Sequence, residues 1–357
     1  MKPLKIYTDL SAVPRIDNKT YPLIPLLRVF VQNFTVHPIF QQLADTRQAY
    51  FELTDSPAEA DVALLPSDWR HYCLSPYQST DHTSVAHQFV EFARKYSLPV
   101  LVFYHSDSDN PVPLDAIVFR TNLYASHLPP KTLAYPSFTD TIPGPLEPHS
   151  KSTSPVVGFC GNAHITWKKT LKHAAKSVLR RVNGLPVYPD PSRLRTHALQ
   201  FLSATPGLKT NYVLRSGYYG GAAAISSDDH AGEAQHYDRI RAEYLQNMTE
   251  SDYVPCIRGA GNYSLRFYET MRGGRIPIFI NTDCVLPYRE FVDWKSLMVW
   301  VEQSDIARIG ERVLAFHNAL SPNDYVDLQA RIHQAWEEWL SPHGFYQHLP
   351  MVLEQFR

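Results

Sequence analysis

The sequence predicts an α/β protein of two domains, each a parallel sheet with helices on both faces. Three observations predict it. Short apolar runs alternate with helix-spaced segments through the first third of the chain. A stretch rich in Pro, Ser and Thr, TDTIPGPLEPHSKSTSP at 139–155, then interrupts the pattern and reads as an interdomain linker. After it a fresh apolar run, PVVGFC, restarts the alternation. The 357 residues suffice for two domains of about 150 residues each.

In the first domain, strands are expected at 5–8, 49–53, 61–65, 100–104, 116–119 and 132–135. The run PVLVFY at 99–104 is the strongest, because a strand covered on both faces reads as a continuous apolar run. Helices are expected at 26–34 and at 84–96, where Val85, Phe89, Phe92, Ala93 and Tyr96 recur at helical spacing. In the second domain a strand ends at Gly161-Asn162 and helices follow at 167–182 and 190–203. A strand at 212–214, a loop at 217–232 placed to lie over a cleft, and a helix at 235–248 come next. A strand at 297–301 and helices at 305–319 and 324–340 complete the chain. The expected division is 1–150, 151–325 and a helical segment 326–357 bracing the first domain.

The stretch 251–294 carries the most chemistry. An apolar strand leads into the turn Arg258-Gly-Ala-Gly261, and Asn262 or Ser264 can cap a helix that Gly273-Gly274 ends. A second strand, IPIFI, follows. A glycine turn opening a helix exposes backbone N–H groups and a positive dipole end, where phosphates are held. Asn262, Arg266 and Glu269 stand at i, i+4 and i+7 and so share one face, with Leu265, Tyr268 and Met271 on the packed side. A cation near the turn suits a diphosphate; a carboxylate deeper along suits a pair of ribose hydroxyls. The same spacing also allows an ordinary amphipathic helix with a mutual Arg266–Glu269 ion pair.

The run RGAGNYSLRFYETMRGGRIPIFI, followed by LPYREFVDW, resembles the C-terminal signature of exostosin-type glycosyltransferases. The resemblance rests on Arg258, Gly259, Gly261, Asn262, Ser264, Arg266, Phe267, Tyr268, Glu269, Arg272, Gly274, Ile276 and Pro277, then on Leu286-Pro287 and Asp293-Trp294. Tyr288 stands where Phe is usual. It implies a GT-B architecture with a C-terminal helix crossing back, and inverting transfer from a nucleotide sugar, a UDP-sugar before others, to a hydroxyl of a glycan or glycoconjugate. It also implies that Glu269 binds the ribose hydroxyls. No cofactor is expected.

A transferase of this kind must stabilise the charge that builds on its leaving phosphate. Arg258 and Arg266, the backbone from Gly259 through Gly261 and Asn262 to Ser264, and the Ser264 hydroxyl are the candidates. Gly161 and Asn162 end the first strand of the donor domain, where a parallel sheet places its ligands; Lys168 begins the next helix. An acceptor base is sought in His105-Ser-Asp107-Ser-Asp109, directly after the strongest strand of the first domain, with Asp107, Asp109 or His105 taking the proton. Asp107 and Asp109 also form a D-x-D triplet, so a metal-dependent A-type transferase is the rival mechanism. A catalytically silent nucleotide-sugar or glycan-binding protein is the other alternative.

Composition limits the rest. A formal charge of −1 and pI of 7.0 argue against a general electrostatic grip on nucleic acid. WKKTLKHAAKSVLRR at 167–181 is a local basic run. The four cysteines form no C-x-x-C pair and fit a reducing compartment, and neither a signal-type leader nor an 18-residue apolar run is present. A cytoplasmic enzyme is expected, with peripheral contact at the inner face of the membrane allowed. The 16 histidines form no zinc-binding pattern, and neither a G-x-S-x-G elbow nor a Walker lysine loop occurs.

Overall fold

The computed structural model describes residues 2–16, 19–20, 22–31, 36–74, 80–163, 167–182, 187–215 and 230–356. The first unit contains β1 (Leu4–Tyr7), β2 (Arg15–Ile16), β3 (Lys19–Thr20), β4 (Phe51–Thr54), β5 (Val62–Leu64), β6 (Val100–Tyr104), β7 (Ile117–Arg120) and β8 (Thr132–Ala134). β2 and β3 make a small antiparallel hairpin; the other six form one parallel sheet in the order β4-β1-β5-β6-β7-β8. All five residues of β6 are buried, as its unbroken apolar run requires of a central strand.

The second unit contains β9 (Val156–Asn162), β10 (Lys209–Arg215), β11 (Tyr253–Cys256), β12 (Ile276–Asn281) and β13 (Val299–Glu302). Their order is β10-β9-β11-β12-β13, again all parallel. The strand expected at 212–214 is longer than its apolar centre. β10 is an edge strand, and its polar start Lys209-Thr210 is exposed, where no hydrophobic pattern is needed. The helix at 167–182 runs from Trp167 to Val182, and Asp190 caps the next one through the Ser192 N–H. The helix expected at 26–34 is one turn, Pro25–Arg28. The loop expected at 217–232 lies mostly outside the described residues, as does the side chain of Lys168.

The segment 139–155 has no regular structure, but it is not a loose tether. Arg272 donates to the carbonyls of Thr139 and Pro143, and the Leu146 N–H donates to Gly273 O. Ile142 is fully buried against Met248 and Val254. Arg275 is fully buried as well. It donates to Met248 O, Glu147 O, Thr249 O and Gln329 Oε1, and lies 3.1 Å from His149 Nε2. His149 in turn bonds Asp252, which also accepts from the Val156 N–H and the Tyr325 hydroxyl. The linker is thus strapped to the second unit.

The chain crosses back later than position 326. The helix Pro322–Ala335, with its Ser321–Asp324 capping box, buries Tyr325, Leu328 and Ile332 in the core of the second unit. Only after a short π-helical turn, Trp336–Leu340, does the chain join the first unit. There Phe345, Tyr346, Leu349, Val352 and Leu353 pack with Leu4, Ile6, Phe103 and Phe119. The apolar spacing of 324–340 reads as one helix because both parts are helical; the change of partner leaves no mark on period. Tyr288 fastens this return: its hydroxyl donates to Phe345 O at 2.6 Å within the core. Tyr288→Phe is expected to lower unfolding free energy by about 1 kcal/mol, from one lost hydrogen bond and one orphaned carbonyl. An unchanged denaturant midpoint would refute that role.

Candidate functional site

In each sheet the chain reverses its winding direction beside the first strand: between β1 and β5, and between β9 and β11. Crevices at the carboxyl ends of such strands are where open parallel sheets take ligands. The second switch point holds Gly161 and Asn162 at the end of β9, with Arg258 two residues beyond β11.

The helix after the turn spans Leu265–Arg272, with Ser264 at its N-cap and Gly273-Gly274 at its end; Gly274 has a φ of +66°. The Ser264 hydroxyl makes no capping hydrogen bond, so the positive helix end stays uncapped by that side chain. Because the helix starts at Leu265, Asn262 does not share its face. The side chain of Asn262 is fully buried and spent on holding the two units together. It donates to Leu123 O and accepts from Thr282, while its backbone N–H donates to Asn122 Oδ1. This corrects the ligand-binding role expected for the Asn262 side chain. Leu265 is 45% exposed, and Phe267 takes its place on the packed side.

Arg266 and Glu269 do share a face, and among the described residues they form no ion pair. Arg266 donates to Cys160 O at 2.6 Å and lies over the Phe159 ring. Burial works against its charge, but Tyr244 and Glu269 outweigh that and raise its pKa. Glu269 is buried and accepts from the Tyr244 hydroxyl at 2.5 Å and from Thr139 at 3.4 Å. Gly161 admits the Arg266 guanidinium: a β-carbon there would stand 2.9 Å from Arg266 Nη2. Asn162 accepts from Arg195 through its carbonyl.

Arg258 is unlike the other arginines of the site. It is 5% exposed, and Nη2 donates to the Tyr124 hydroxyl and Ala260 O, yet Nε and Nη1 are buried with no hydrogen-bond partner among the described residues. Such a group points to a missing acceptor. Arg258 lines a cavity of about 240 Å³ between the two units, with Asp107, Asp109 and Tyr124 on one side and Ser177 and Arg180 on the other. Tyr124 and Tyr188 stack across it at 3.6 Å, and the guanidiniums of Arg258 and Arg180 both lie over Tyr188.

The turn meets the first unit here. The Gly261 N–H donates to Asp107 Oδ1 at 3.2 Å, so a carboxylate sits on one of the backbone donors expected to face phosphate. A β-carbon on Gly261 would come within 2.8 Å of that oxygen and 2.7 Å of the Tyr263 ring. Gly259 donates to Tyr263 O and has open space beside it. Asp109 is ion-paired with Arg180 at 2.6 Å. The two carboxylates of the D-x-D triplet are therefore held by different groups of the second unit. His105 lies deeper, its Nε2 3.3 Å from Ser137 and its ring beside Tyr263.

Sequence reasoning missed Asp68. It ends the crevice beside β5, is 8% exposed, and accepts the backbone N–H of His105 at 2.9 Å and of Arg70 at 3.0 Å. It thereby anchors the loop that carries Asp107. With His71 and His105 it lines a second cavity, of about 170 Å³. No motif announces it, since a lone aspartate after an apolar strand is common. Burial lifts the Asp68 carboxyl to about 6, against the charge of Arg70 and the two N–H donors. Burial, with Arg70 nearby, depresses His105 to about 4; burial, with Arg70 and Arg28, depresses His71 to about 4.

These shifts oppose one another in stability. For the histidines, stability is fully present above the unfolded value of 6.5 and is lost as pH falls through about 4. For Asp68, it is present below 3.8 and lost as pH rises through about 6. Two groups outweigh one, so melting temperature is expected to fall on acidification from pH 6.5 to 4, less steeply in His105→Gln. A rise over that range would contradict the arrangement.

Two doubly wound parallel sheets, joined by a strapped linker and a returning C-terminal segment, define a GT-B-type architecture. Residues 195–316 match the family model described as the exostosin GT47 domain. A Caenorhabditis elegans exostosin-1 homolog is 34% identical over 79 residues, covering 22% of this chain and 20% of that protein. A probable glucuronosyltransferase of Oryza sativa subsp. japonica is 26% identical over 138 residues, 35% of this chain and 32% of that one. The matches thus span a third or less of either relative. The solved structure of TarM aligns over 80% of this chain and 48% of its own, at 12% identity and a TM-score of 0.36.

Proposed function

We propose that the protein is an inverting glycosyltransferase that moves a sugar from a nucleotide sugar, a UDP-sugar before others, to a hydroxyl of a glycan or glycoconjugate. The observation that carries this reading is Arg258, a buried guanidinium with two nitrogens that have no hydrogen-bond partner among the described residues, on a side chain that lines the cavity between the two parallel sheets. A diphosphate supplies the acceptors it lacks, and charge building on the leaving phosphate strengthens those bonds in the transition state. In this reading the helix end at Ser264 adds backbone donors, the Gly261 N–H joins them on leaving Asp107, and Arg266 adds charge from the same helix. Glu269 takes the ribose hydroxyls by exchanging its Tyr244 and Thr139 bonds for stronger ones.

Asp107 is the base in this reading. It is the exposed cleft carboxylate of the first unit, and among the described residues it has no ion pair, whereas Asp109 is neutralised by Arg180. The acceptor oxygen attacks the anomeric carbon, its proton passes to Asp107, and the bond to the nucleoside diphosphate breaks. Metal is not obligatory in this scheme. Glu269→Ala is expected to weaken UDP binding in calorimetry by roughly 10- to 100-fold, the worth of one or two hydrogen bonds to a carboxylate. Asp107→Asn is expected to lower turnover by about 10²–10⁴ with UDP affinity kept. Unchanged UDP affinity in Glu269→Ala would overturn the site, and turnover that EDTA abolishes would favour the metal-dependent rival.

A further inference from the structure

The helix Trp167–Val182 is amphipathic in the reverse sense. His173, Ser177 and Arg180, at i, i+4 and i+7, line the cleft cavity, and Arg180 is paired there with Asp109. The outward side is apolar. Leu171 is 63% exposed, Val178 65%, Leu179 62% and Val182 77%, with exposed Ala174 and Ala175 between them. These positions form one continuous stripe along the helix. A surface helix ordinarily turns such a stripe to the core. Here no described part of the chain covers it.

The charge of the helix indicates its occupant. Its sixteen residues include Lys168, Lys169, Lys172, Lys176, Arg180 and Arg181 and not one carboxylate. Removing Arg180, spent on Asp109, leaves five cations in the sequence of a helix whose apolar stripe no described residue covers. Two copies meeting through this face would oppose like charges, and protein interfaces are depleted in lysine. A surface of anionic lipid offers acyl boundary to the stripe and phosphates to the cations together. No described helix is long and apolar enough to cross a bilayer, so the contact is one of lying on the surface.

We propose that the helix Trp167–Val182 docks the protein on an anionic lipid surface, with Leu171, Val178 and Val182 in the headgroup–acyl boundary. The inner side of the same helix lines the cleft, so docking sets the cleft within about one helix diameter, ~10 Å, of the headgroups. The proposal does not depend on the transferase reading, and its test needs no activity.

The purified chain is floated with vesicles of phosphatidylcholine alone and of phosphatidylcholine mixed with phosphatidylglycerol, at low and high salt. Flotation with the anionic vesicles only, weakened by salt, is expected. Leu171→Glu/Val178→Glu and Lys169→Glu/Lys172→Glu should each reduce binding at least tenfold, with melting temperature and UDP affinity unchanged. Absence of flotation, equal flotation with neutral vesicles, or binding that survives Leu171→Glu/Val178→Glu would overturn the proposal. So would a lipid-free dimer that Val178→Glu dissociates, which would assign the stripe to a second copy.

Discussion

Arg258→Met is expected to lower turnover by about 10²–10³ while leaving the fold as stable as before or more so. A buried cation without full pairing is costly, and an apolar residue of similar length that fills the same space is often neutral or stabilising. Two of the three guanidinium nitrogens of Arg258 have no hydrogen-bond partner among the described residues, and Nη2 alone is used, on Tyr124 and Ala260. Methionine keeps contact with the rings of Tyr124 and Tyr188 and removes the desolvated charge. The measurement is a pair: sugar transfer or UDP-sugar hydrolysis, and the urea midpoint. Lost turnover with an unchanged or raised midpoint supports the site. A fall in midpoint of several kcal/mol equivalents would mean that Arg258 holds structure instead.

Arg275→Leu should behave in the opposite way. Arg275 is more deeply buried than Arg258, but its donors are used on Met248, Glu147, Thr249 and Gln329. Removing it orphans several buried acceptors at once, each costing about 1–3 kcal/mol, with partial relief from rearrangement. A loss of about 3–5 kcal/mol in unfolding free energy is expected, as for other broken buried charge networks. Proteolysis should then cut first within 139–155, where Arg275 holds Glu147. A variant as stable as the parent would show that the linker is held by other contacts.

These two arginines show how far the sequence can be read. Both lie in the same motif-bearing stretch, and nothing in spacing separates the one with open donors from the one with none to spare. The strand–turn–helix–strand order around position 260 was legible because apolar period, glycine and proline all agree there. That Arg266 and Glu269 share one helix face was legible for the same reason. Asn262 was misassigned because a helix start cannot be fixed to within two residues from pattern alone, and those two residues turn its side chain to the other unit. Asp68 was invisible: its role follows from a backbone contact across 37 residues to His105, which no local pattern encodes. The helix at 167–182 and its basic run were legible, but the outward apolar stripe was not.

One feature of the linker bears on how the cleft can move. The chain passes between the units twice, after Phe138 and at Trp336–Leu340, and Arg272 touches both passages, donating to Thr139 O and lying over the Trp336 ring. Trp339 adds contact with both cores. Two strands pinned at one place leave a single arc of travel and resist torsion. Substrate entry should therefore part Asp107 from Gly261 and Asp109 from Arg180, as a jaw opens on its pivot, while the pivot itself stays knit.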